Sequence, residues 1–146
     1  MKIFSTLITV VVLTAGTALA DESWLTNIEK AQAIAKKEGK MVLVDFTGSD
    51  WCPPCIALKK KVLGTKEFTA YAKKNLILVE IDFPRKKKID DEQKAYNQKQ
   101  AKKYGLGGVP MVLVFDSSGK QVHKEVGFQG ETPKEYIEKL KNAKFQ

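Results

Sequence analysis

The chain has 146 residues, a formal net charge of +8, and 43% apolar and 29% charged side chains, which suits one soluble domain with an ordinary core and argues against a second. Its basic residues fall in separate clusters, KKK at 59–61, RKKK at 85–88 and pairs at 73 and 102, with acids nearby and no interleaved aromatics, so no nucleic-acid partner is expected. Two cysteines and one histidine are too few for a site that wants about four ligands, so no metal and no other cofactor is expected either.

Residues 1–20, MKIFSTLITVVVLTAGTALA, carry a single charge at Lys2, then an apolar run, then the small-residue triplet Ala18, Leu19, Ala20. That pattern predicts a signal peptide cleaved near Ala20 and an exported domain over 21–146. Four threonines dilute the run, and no basic stop-transfer cluster follows, which argues against a membrane anchor. Loss of Lys2 would leave 24 basic and 17 acidic residues, a net charge of +7.

Over 23–38, Trp24, Ile28, Ala31 and Ala35 recur at helical spacing ahead of Lys36, Lys37 and Gly39, which predicts a helix. The valine-rich run KMVLVDF predicts a strand buried on both faces. After SDWCPPC, Ile56, Leu58 and Val62 predict a helix that Gly64 breaks and Thr65 can restart. NLILVEID reads as a second buried strand.

The lysine-rich stretch 84–103 has weak apolar periodicity and a helix start at Asp90 and Gln93, and is expected to be a client- or partner-facing surface outside the core. PMVLVF, the turn DSSG and KQVHKEVGF predict an antiparallel hairpin. Thr132, Pro133 and Glu135 open a last helix with Tyr136, Ile137 and Leu140 on one face. Strands that alternate with helices and end in a hairpin make an α/β domain: a mixed sheet of about four strands with helices on both faces.

Cys52 and Cys55 are the only cysteines. Residues three apart on a helical turn have Cα atoms about 5 to 6 Å apart, within reach of a disulfide. So short a loop constrains the unfolded chain little, so reversible redox chemistry explains the pair better than a structural staple. A metal site with His123 and an inert buried pair are the other readings, disfavoured by ligand count and by the position of Cys52 where a strand turns into a helix.

VDFTGSDWCPPC, followed by YGLGGVPMVLVFDSSGK, resembles an exported member of the thioredoxin-like family, over the chain from Trp24 onward. The resemblance implies that fold and a thiol-disulfide oxidoreductase acting, as a monomer, on protein thiols and disulfides, with a membrane-bound redox partner to recycle it. It implies that Cys52 attacks, that Cys55 resolves, that Trp51 is the aromatic before the motif, and that Pro110 is cis beside the disulfide, turning the Val109 backbone toward substrate. Asp45 resembles the buried acid that manages the proton of the second cysteine. The sequence departs from the pattern in one extra residue between Asp45 and Cys52, in Leu78 where thioredoxin has a lysine, and in the insertion at 84–95.

Residue chemistry supports these roles separately. A helix N-terminus stabilises a thiolate at Cys52, and Asp45 within an apolar strand would have its carboxyl pKa raised by desolvation, unless it is salt-bridged or a cap. Pro53 and Pro54 fit the first helical turn, where a missing N–H breaks no bond, but they leave only the Cys55 N–H to serve the Cys52 sulfur. A less stabilised thiolate tilts the pair toward reduction or isomerisation and away from strong oxidation. The rival expectation is a non-enzymatic binding module of the same fold with a redox-sensitive cysteine pair.

Overall fold

In the computed structural model, which describes residues 24–143, all seven residues of β1, Met41–Thr47, are buried. A continuous apolar run demands that, because both faces of the strand must be covered. β1 pairs in parallel with β2, Leu76–Asp82, and antiparallel with β3, Met111–Phe115. β3 pairs antiparallel with β4, Gln121–Val126, so the mixed sheet has the order β2-β1-β3-β4.

Alternation along the strands divides the core between two faces. Leu43, Val112 and Val114 pack with Leu58, Val62, Phe68 and Leu140, which come from α2, Pro53–Leu58, a π-helical turn, Lys59–Leu63, α3, Lys66–Asn75, and α5, Pro133–Ala143. Val42, Val44 and Phe46 pack on the other face with Ile28, Ala31 and Ala35 of α1, Ile28–Glu38, and Tyr96 of α4, Asp91–Lys103. The predicted architecture, helices on both faces of four strands, is the one observed. The leader expected at 1–20 and its cleavage point lie outside the described residues.

Three local expectations need correction. The first helix begins at Ile28, not at residue 23, because Asn27 caps it through a 2.7 Å bond from the Lys30 N–H. Leu25 is then free to join the sheet edge, donating to Leu78 O at 2.9 Å and accepting from the Glu80 N–H at 2.8 Å. Second, the break at Gly64 is preceded by the π-helical turn, which apolar spacing did not reveal.

Third, α4 is not a detached surface. Asn97 and Gln100 are buried, Asn97 donates to Asp82 O at 2.8 Å, and Gln93 donates to Thr26 O at 3.0 Å. The Tyr96 hydroxyl accepts from the Ile28 N–H at 2.7 Å and donates to Glu29 Oε2 at 2.5 Å. The helix docks through hydrogen bonds, so its apolar period is weak although its contact face is dry. The stretch before it, 85–88, is exposed, as is the outer side of α4 at Lys94, Gln98, Lys99, Lys102 and Lys103.

Candidate active site

β1 ends at Thr47, and a turn closed by the Trp51 and Cys52 N–H groups on Gly48 O, at 3.3 and 3.0 Å, delivers Cys52 to the start of α2. Pro53 and Pro54 occupy the first two helical positions. The Cys55 N–H donates to Cys52 Sγ at 3.3 Å, and no other backbone donor of that turn serves the sulfur. Cys52 and Cys55 form a disulfide with Cα atoms 5.3 Å apart.

The Val109–Pro110 bond is cis, and Val109 O lies 3.7 Å from Cys52 Sγ. In the disulfide Cys52 is only 3% exposed and Cys55 2%, so exposure does not distinguish the two sulfurs. The Val109 carbonyl and the link to Cys55 cover the Cys52 sulfur. Position separates the two instead. Cys52 helps to wall a cleft of about 590 Å³ with Trp51, Pro54, Phe83, Leu106 and Val109, whereas Cys55 is not among its walls.

Trp51 is fixed from three sides. Its Nε1–H donates to Phe83 O at 2.7 Å, and the Arg85 guanidinium carbon sits 3.7 Å from the centre of its ring. On the Gly48 side the fit is so close that a Cβ there would come within 2.5 Å of the ring. Glycine at 48 is therefore required by the aromatic wall of the cleft.

Asp45 is 1% exposed and shares the parity of Leu43, so it points to the sheet face that α2 covers, the side on which Cys55 is buried. No protein group donates to its Oδ1. Burial, reinforced by the neighbouring Glu80 carboxylate and only partly opposed by Lys59, pushes the Asp45 pKa up to about 7. Such a group can give or take a proton near neutrality.

Sequence reasoning missed the groups around Asp45. Glu80 is its direct register partner on β2, so the two carboxylates share a face. Lys59 Nζ bridges to Glu80 Oε2 at 3.0 Å and lies 3.8 Å from the centre of the Trp24 ring. Lys59 stands one helical turn beyond Cys55, a spacing that places both on the same side of the helix. Leu78 lies opposite Leu43 in the register, and the cation that reaches this polar cluster is Lys59, just past the end of α2. Aligning the acids of the two buried strands would have pointed to Glu80.

Asp50 was also overlooked. Its carboxylate accepts the backbone N–H groups of Arg85, Lys86 and Lys87 at 2.9, 2.8 and 2.8 Å, bonds that lower its pKa to about 2. Next to it, Ser49 donates to both oxygens of Asp82, whose Oδ2 also pairs with Lys87 at 2.9 Å. The basic stretch is thereby tied to the loop that carries Trp51 and Cys52. His123 lies on β4, 3.6 Å from Glu125, and among the described residues no group of three or more His, Cys, Asp or Glu could hold a metal.

Comparison with known proteins agrees with this geometry. The sequence matches the thioredoxin-like domain family over residues 28–144. It is 34% identical over 126 residues to the disulfide bond reductase DsbH of Chlamydia pneumoniae, covering 86% of this chain and 75% of that protein. The solved structure of a DsbH oxidoreductase superposes with a TM-score of 0.75 at 33% identity, covering 83% of each chain. A disulphide isomerase structure from Xylella fastidiosa Temecula1 gives 0.60 at 26% identity, over 78% of this chain and 88% of that one. The protein belongs to the thioredoxin-like family and is a thiol-disulfide oxidoreductase with a redox-active Cys52–Cys55 pair.

Proposed function

We propose that the protein works in an exported compartment, after cleavage near Ala20, as a reductant of disulfides in client proteins. The observation that carries the reading is the placement of Cys52 in the wall of an open cleft with one N–H, that of Cys55, on its sulfur. Few donors leave the thiolate moderately stabilised, so the reduced pair gives up its electrons readily. Similarity to a protein named as a disulfide bond reductase supports the same direction.

The reduced dithiol is the working form. The Cys52 thiolate attacks one sulfur of a client disulfide, the client S–S bond breaks, and the departing client thiolate takes up a proton. Cys55, losing its proton to Asp45, then attacks Cys52 Sγ. The mixed disulfide breaks, the second client thiolate is released and protonated, and the Cys52–Cys55 disulfide remains. Two electrons and two protons have passed to the client, and a membrane-bound dithiol donor restores the pair. Burial suits Asp45 to the middle step, because a carboxyl with a pKa of about 7 is a fair match for a thiol.

Cys55→Ser should accumulate a mixed disulfide between Cys52 and client proteins, resolvable by dithiothreitol, and Cys52→Ser should form none. In a reduction assay on a protein disulfide, wild type should exceed both variants by orders of magnitude. Equal activity of wild type and Cys52→Ser would refute a reductase and leave a binding module; trapping through Cys55 in Cys52→Ser would reverse the roles of the two thiols.

A further inference from the structure

The cleft beside Cys52 is apolar and uncharged in its walls, yet a cation is mounted on its rim. Trp51, one of the walls, is immobilised by Phe83 O and Gly48, and Arg85 sits over its ring. The backbone under Arg85 is held by Asp50 through the three N–H groups of residues 85–87. Arg85 is exposed and its guanidinium has no ion-pair partner within 4 Å among the described residues; Lys88 is exposed in the same way, and Lys86 is exposed within the field of the Asp50 carboxylate.

The nearby acids are already engaged. Asp50 is taken up by main-chain donors and Asp82 by Ser49 and Lys87. A guanidinium that lies over an aromatic face still presents an edge of N–H donors, which suits a carboxylate through two parallel bonds. Fixing Arg85 in advance lessens the conformational entropy lost when a partner binds.

We propose that Arg85 is a specificity-determining residue, pairing with an Asp or Glu side chain next to the disulfide cysteine of an extended client segment that lies in the cleft between Trp51 and Val109. This rests on the reductase reading above. The occupant is a polypeptide because the Val109 backbone borders the cleft and can pair with a strand, and because the client sulfur must reach Cys52. It is acidic because the rim is cationic while the walls carry no charge. Lys86 and Lys88 add a diffuse field that draws such segments in, and Arg85 reads the side chain at contact.

The test uses pre-reduced full-length protein in single-turnover reactions with three disulfide peptides that differ only in Glu, Gln or Lys beside the attacked cysteine. Wild type should react about two- to fivefold faster with the Glu peptide than with the Gln peptide at low ionic strength, and slowest with the Lys peptide. The preference should shrink as salt rises. Arg85→Glu should invert the order, making the Lys peptide the fastest and the Glu peptide the slowest. Lys37→Glu, an equal change of charge in the last turn of α1, should keep the wild-type order.

An unchanged order in Arg85→Glu, an equal slowing with all three peptides, or inversion by Lys37→Glu as well would overturn the proposal. Equal wild-type rates with the three peptides would overturn it while leaving the reductase reading intact. A wild type that reduces none of them would sink both.

Discussion

Replacing Asp45 by Asn tests whether a buried carboxyl is held protonated beneath the redox helix. The folded pKa of Asp45 is about 7, against 3.8 for the free side chain. Below pH 4 the carboxyl is protonated in both states and has no effect through ionisation. Between about pH 4 and 7 the unfolded chain releases this proton and the folded chain keeps it, so stability falls by about 1.4 kcal/mol per pH unit. Above pH 7 the loss levels off at roughly 4 kcal/mol, a large share of the ~5–15 kcal/mol by which a domain is stable. Asn cannot ionise and escapes this loss. Its buried amide adds a penalty of about 1–3 kcal/mol that does not vary with pH. Urea unfolding of the oxidised protein at intervals from pH 3.5 to 8.5, as wild type minus Asp45→Asn, isolates the titration because the constant penalty is only an offset. The difference should be level below about pH 4, decline to about pH 7, and level off again. A flat difference across the series, or one that rises with pH as for a salt-bridged acid, would refute the account of Asp45.

The same difference curve reports on the neighbours of Asp45. Glu80→Gln removes a like charge and should move the midpoint down by roughly one pH unit, whereas Lys59→Met removes the opposing cation and should move it up by a similar amount; shifts of the same sign would dissociate the pair from Asp45. Tyr96→Phe deprives the buried Ile28 N–H of its acceptor and should destabilise the fold by about 1–2 kcal/mol in urea, without altering the reduction potential. A change below about 0.3 kcal/mol would mean that α4 does not help to hold the start of α1.

Much of this was legible in the sequence because it rests on local chemistry. Valine-rich runs marked β1 and β3, Thr132 and Glu135 marked a capping box that forms as read, and the spacing of Cys52 and Cys55 marked their disulfide. What escaped depends on pairing between distant segments. Leu25 has the apolar character of a helix residue and enters the sheet edge because β2 offers it free backbone groups. Gln93, Asn97 and Gln100 look like surface residues, and each is drawn against the core by a specific hydrogen bond. Lys59 and Glu80 are ordinary charges until β1 and β2 come into register and bring Asp45 beside them. The covered Cys52 sulfur likewise follows from the Val109–Pro110 loop, far away in the chain.

The strap at 85–88 is gripped by its main chain. Asp50 holds amide hydrogens, which every residue except proline supplies, so the anchor is indifferent to what the side chains are. Positions 85, 86 and 88 can thus be rewritten as an antibody loop is rewritten, on a framework that stays put. Lys87, tied to Asp82, is the exception. If Arg85 reads client segments as proposed, client preference is a separable module. Acidic, neutral or apolar versions of the strap can be grafted and screened while the cysteines, Asp45 and the sheet beneath them remain untouched, and the natural RKKK sequence is one setting of a dial that evolution can turn without rebuilding the enzyme.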